Sequence, residues 1–86
     1  MTDMGETRIF VLQRGWVVVG KIVELGHRVK LFPASNIRRW GTTKGLGELA
    51  NGPTAKTVID PLPLGALFNE LTIVLEIPCD DTKWAF

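Results

Sequence analysis

The sequence predicts a mainly β fold with a small α+β element. It should form an antiparallel meander that closes into a small barrel or curved sheet, with one short helix near residues 45–51. Three observations predict it. Apolar side chains recur with a period of two, β-branched residues crowd the same runs, and short turn sequences separate those runs. Eighty-six residues make a single domain, 1–86, with one modest core. Within it, residues 1–7 are expected to be disordered.

Each element follows from its residues. Arg8 to Gln13 is a β-type run, and Arg14-Gly15 turns it into a second run from Trp16 to Leu25. That second run is dense in Val and Ile, whose branched Cβ suits a pleated surface and resists helix. Gly26-His27 reads as a hairpin turn. His27 to Phe32 then alternates, with Val29 and Leu31 on one face and Arg28 and Lys30 on the other. Pro33 should interrupt the ladder, and Ala34 to Trp40 resumes as a short strand. Leu46, Leu49 and Ala50 have helical spacing, and Asn51-Gly52-Pro53 supplies the stop. Thr54 to Phe68 is rich in Pro, Gly and Leu and is expected to wrap the sheet as irregular chain. Leu71 to Ile77 is the last strand, ended by Pro78.

Charge is uneven along the chain although the net charge is only +1. Residues 25–47 hold Arg28, Lys30, Arg38, Arg39 and Lys44 without one carboxylate. Residues 57–86 hold five carboxylates against Lys83. Either the middle meets an anionic partner, or the two segments pair in the fold or between subunits. No apolar run approaches the roughly 20 residues of a membrane span, and the first residues lack a secretion signal. With Cys79 alone, no intrachain disulfide framework can form, so a reducing cytoplasm is the expected setting. One His and one Cys leave no zinc set, and no cofactor is implied.

Catalytic chemistry is poorly supplied. There is no Tyr, and no pair of groups suggests general acid–base work. An enzyme is therefore not expected. The richest segment is Asn36 to Glu48. If Ile37 faces the core, alternation sends Asn36, Arg38 and Trp40 to the other face, a stacking surface beside a cationic clamp. Gly41-Thr-Thr-Lys-Gly-Leu-Gly47 has the flavour of a phosphate loop, but Lys44 precedes Gly45 and the required spacing is absent. Backbone donors at a helix start could still face an anion. A tight turn with a capping Thr would explain the same residues. The candidate ligand set is thus Arg38, Arg39 and Lys44 for phosphates, Trp40 for stacking, and Thr42 and Thr43 with the Gly41 and Gly45 backbone as donors.

The runs from Phe10 to Gly20, from Ala34 to Ala50 and Asn51-Gly-Pro53 resemble a group of small proteins encoded by bacteriophages and prophages. The similarity spans roughly residues 8–84, and its most specific part is Trp40-Gly-Thr-Thr43. That group has no established biochemical function, so the resemblance implies a setting in the host cytoplasm and no mechanism. Phages carry small proteins that neutralise host defences, some by sequestering nucleotide signals and some by binding a host protein. Three functions follow as expectations. The first is a non-enzymatic sponge that captures a nucleotide-type ligand at a subunit interface. The second is an inhibitor that docks on a host or defence protein through the basic 28–44 segment. The third is a single-stranded nucleic-acid binder. Apolar residues on both faces of 16–23 (Trp16, Val18 and Ile22 against Val17, Val19 and Val23) need covering by the chain itself or by another subunit. A symmetric homo-oligomer is therefore expected.

Overall fold

The computed structural model describes residues 5–84. The chain forms six antiparallel strands: β1 (Thr7–Leu12), β2 (Val17–Glu24), β3 (Arg28–Arg39), β4 (Val58–Leu62), β5 (Ala66–Asn69) and β6 (Ile73–Pro78). Their order is β4-β3-β2-β1-β6, and β5 also pairs with β3, beyond the end of β4. The helical elements are all short 3₁₀ turns, of which Leu46–Asn51 is the longest. The sheet curls strongly but does not close: β4 and β6 stand at its two borders. Of the two shapes the sequence allowed, the curved sheet is the one present.

The curl is set in β3. The sequence predicts a break at Pro33, yet Arg28–Arg39 is one bent strand. Proline lacks an N–H and is tolerated inside a sheet only where no partner needs one. Residues 32 and 33 meet that condition on both sides. On β2 the register jumps from Gly20↔Ala34 to Ile22↔Leu31, and on the other side β4 stops at Ala34↔Leu62 while β5 starts at Leu31↔Ala66. Gly20 faces the bend. A Cβ there would lie 2.8 Å from the Ala34 Cβ and from the Pro33 carbonyl oxygen, and 2.9 Å from the Leu31 Cβ. Only a residue without a side chain lets the two strands approach so closely.

Residues 54–68 correct the sequence reading. They are not irregular wrapping but contain β4 and β5, which run along the free side of β3. Pro61 and Pro63 hid them, because prolines argue against a central strand and are compatible with a border. Gly65, at φ +83°, makes the turn between the two, with its N–H donated to the Leu62 carbonyl.

Each face of the sheet carries a buried apolar cluster. Phe10, Val18, Ile22, Val29, Leu31 and Ala34 fill the inside of the curl, where Phe10 meets Phe68 edge-on at 5.2 Å. Ile9, Val17, Val19 and Ile37 fill the outside, under Leu46, Leu49 and Trp84. On the second face of β2, Val17 and Val19 are thus covered by the chain itself, while Val23 stays exposed. Trp84 donates its indole N–H to the Leu49 carbonyl at 2.9 Å, which ties the lid to the C-terminal turn. Asp80 reinforces it by donating its backbone N–H to the Ala50 carbonyl. Met1 to Met4, for which disorder was expected, lie outside the described residues. Gly5 donates its N–H to the Ile22 carbonyl, and Thr7 opens β1.

Two stability outcomes follow. Gly20→Ala should lower stability by about 1–3 kcal/mol, the usual cost of overpacking a filled site. Trp84→Ala should cost about 3–5 kcal/mol, as deletion of a large core side chain does. Urea unfolding followed by circular dichroism reads both. A loss below half a kcal/mol in either variant would contradict the packing described.

Candidate functional site

The sequence-predicted site divides into two parts that behave differently. The first is the end of β3. Ile37 is buried and Arg38 points outward with its side chain 67 % exposed, as alternation requires. Alternation alone would bury Arg39. Instead the register with β4 passes from Ile37↔Ile59 to Arg39↔Val58, so Arg38 is an extra residue in a bulge and Arg39 is exposed as well. Bulges recur where a side chain must be re-aimed. Here the bulge places Arg38 and Arg39 side by side on the lining of a cleft of about 370 Å³, with Val58. Trp40 follows and is 43 % exposed, so it is not a core residue. Arg38 is not idle, because its Nε lies 3.1 Å from Asp60 Oδ2.

The second part, residues 41–45, is turned mostly to internal bonding. Gly41 has φ +65°, and a Cβ on it would come within 2.3 Å of the Lys56 carbonyl carbon. Two threonines hold this crossing: Thr57 Oγ1 donates to the Trp40 carbonyl at 2.6 Å and Thr54 Oγ1 to the Gly41 carbonyl at 2.7 Å. Gly41 is therefore a packing glycine. Of the donors expected to meet an anion, Thr43 meets one, together with the Lys44 N–H, but the anion belongs to the chain. Glu48 Oε1 accepts from the Lys44 N–H at 3.1 Å, from the Thr43 N–H at 3.3 Å and from the Thr43 hydroxyl at 3.4 Å. No threonine caps the following 3₁₀ turn. Gly45 stands at that position, with φ +93° and its carbonyl accepting from the Glu48 N–H. Thr42 is half-buried beside it. The structure thus brings Arg38 and Arg39 to one cleft with Trp40 exposed next in the chain, and commits most of residues 41–45 to hydrogen bonds within the chain.

No family model matches this chain, and neither does any curated protein or solved structure. The site therefore has to be read from its chemistry alone. Sequence reasoning missed Glu48, Thr54, Thr57, Val58 and Asp60. Glu48 follows Lys44 by four residues, a spacing at which a carboxylate can reach back to backbone donors, and that was the available signal. Asp60 carried none, since its partner lies across the strand pair.

Among the described residues no group of three or more His, Cys, Asp or Glu side chains is placed to hold a metal ion, and no helix is long and apolar enough to cross a membrane. Burial pushes the Cys79 thiol up to about 11, with the nearby Asp81 charge adding to the effect and a backbone hydrogen bond from Ile9 opposing it. A thiol raised by two units carries roughly 100-fold less thiolate at neutral pH, and the thiolate is the nucleophile. Cys79 should therefore react with a thiol reagent at pH 8 about 100-fold more slowly in the folded chain than in urea. Equal rates in the two states would show that the thiol is not held as described.

Proposed function

We propose that this protein acts by binding, without catalysis, and that its ligand is an anionic, nucleotide-type molecule held at the end of β3. The observation that carries the reading is the bulge at Arg38. It puts two adjacent arginines on the lining of one cleft, and the next residue in the chain, Trp40, is partly exposed. Guanidinium forks match phosphate oxygens, and a Trp face accepts a base. The ligand set is smaller than the sequence implied. Arg38 and Arg39 would meet the phosphates and Trp40 the base. Thr43 and Lys44 would contribute backbone donors only by giving up Glu48.

Asp60 has a part in this reading. Its carboxylate lies 3.1 Å from Arg38 Nε, so an incoming phosphate competes with it for that guanidinium and binds more weakly than it would without Asp60. In the phage setting that the sequence resemblance implies, capture of this kind would withdraw a nucleotide signal from a host defence in the cytoplasm.

Calorimetric titration with mononucleotides, cyclic dinucleotides and adenosine diphosphate ribose derivatives tests the proposal. At least one should bind and quench Trp40 fluorescence. Charge-assisted hydrogen bonds contribute about 1.5–3 kcal/mol each, so Arg38→Ala and Arg39→Ala should each weaken that ligand roughly tenfold or more. Asp60→Asn should tighten it. If no compound gives heat, or if the Arg39→Ala variant binds as well as the parent, the nucleotide reading fails.

A further inference from the structure

Two apolar surfaces of opposite charge lie on the two sides of the β2–β3 hairpin. One is a groove of about 550 Å³ at the seam where the sheet fails to close, between the hairpin tip and β6. Leu25, Val29, Leu71, Ile73, Val74 and Leu75 supply its apolar lining. Leu71, Val74 and Leu75 remain exposed, although residues of this type are normally covered. Its polar lining is acidic, from Glu70 and Glu76. Glu76 shares the guanidinium of Arg8 with Glu6, at 2.8 and 3.1 Å, so that rim keeps negative charge. Glu70 lies 3.1 Å from the His27 ring, at the tip of the hairpin.

The other surface is the outer face of the same hairpin and of β5. Lys30 points outward among Val23, Phe32 and Leu64, and Leu67 lies opposite it on β5. Leu64 stands in the turn after β4 with 89 % of its surface exposed, a projecting apolar side chain. Arg28 is on the same face, two residues before Lys30. Neither cation makes an ion pair among the described residues. The lid formed by Leu46–Asn51 and Trp84 packs with Val17, Val19 and Ile37, and leaves this part of the outer face bare.

We infer that the acidic groove receives the basic outer face of a second copy of this chain. Leu64 and Phe32 enter between Leu71 and Val74, and Arg28 and Lys30 meet Glu70 and Glu76. Charge complementarity identifies the occupant: the chain itself carries an apolar knob flanked by two cations that make no ion pair among the described residues, matching an apolar groove whose rim holds Glu6, Glu70 and Glu76 against Arg8. The two surfaces differ, so the contact is head-to-tail, and copies add to one another until a ring closes or a filament grows. The inference stands apart from the nucleotide reading, because Arg38 and Arg39 are at the other end of β3.

A mixing experiment tests it. Leu71→Lys spoils the groove and leaves the knob, and Leu64→Glu spoils the knob and leaves the groove. Both positions are highly exposed, so both variants should keep the parent's circular dichroism spectrum and urea midpoint. By light scattering at micromolar concentration the parent should have a mass of at least two chains, and each variant that of one chain. A one-to-one mixture of the two variants should recover a species of two chains, because one intact groove and one intact knob remain. Added salt should weaken it. A parent of 9.5 kDa would overturn the inference. So would variants that keep the parent's mass, or a mixture that stays at one chain. If both variants prove misfolded, Val74→Lys paired with Lys30→Glu repeats the test at other positions of the same two surfaces.

Discussion

The architecture depends on a close approach between backbone and backbone at Gly20. Because nothing projects from that residue, β2 can lie against the Phe32-Pro33 bend of β3, and the bend turns a flat meander into a curl. Everything else is arranged around it. The half of β3 before the bend supplies Val29 and Leu31 to the inner core, and the half after it supplies Ile37 to the outer one. The border strands split at the same place, with β4 on one half and β5 on the other. The basic end of β3 projects from one limb of the curl, and the apolar basic patch from the other.

A sheet with a buried apolar cluster on each face is unusual for so short a chain, and the chain manages it with very little material. The lid over the outer face consists of Leu46, Leu49 and Trp84, held by hydrogen bonds from Trp84 and Asp80 to two successive carbonyls. The segment that carries the lid also carries the candidate site, since Arg39 to Gly45 leads directly into it. This explains why the glycine-rich loop is so heavily tied down. Its carbonyls are fixed by Thr54 and Thr57 and its N–H groups by Glu48, because it anchors the outer core. What is left for a ligand is the side-chain chemistry before the loop.

Much of this was legible in the sequence where a local pattern decided it. The runs at β1, β2 and β6 are dense in β-branched and apolar residues, His27 to Phe32 alternates, and the Leu46–Asn51 helical turn announces its own stop. From Ile37 alone, alternation correctly sends Arg38 outward, with a partly exposed Trp40 after it. The failures share one cause, dependence on a partner distant in sequence. Pro33 reads as a strand end until the gap opposite it is known. Pro61 and Pro63 read as loop until their strand is seen to lie on a border. Arg39 faces outward because of a register slip against Val58, which no local pattern records. Glu48 reads as one more helix residue, although it supplies the anion that the loop needs.

An open sheet has two borders, and each is a template on which another strand can grow. Here the borders are broken by residues that cannot extend such a ladder. β4 contains Pro61 and β6 ends at Pro78, and each removes one backbone donor from a strand of only five or six residues. Cys79 already spends its N–H on Thr7 of β1. Cross-β growth along β4 and β6 is therefore short of rungs, and β5, which shares the border with β4, offers only four residues. A protein of this composition, nearly half apolar, can leave greasy side chains in view and still avoid fibril formation through its backbone.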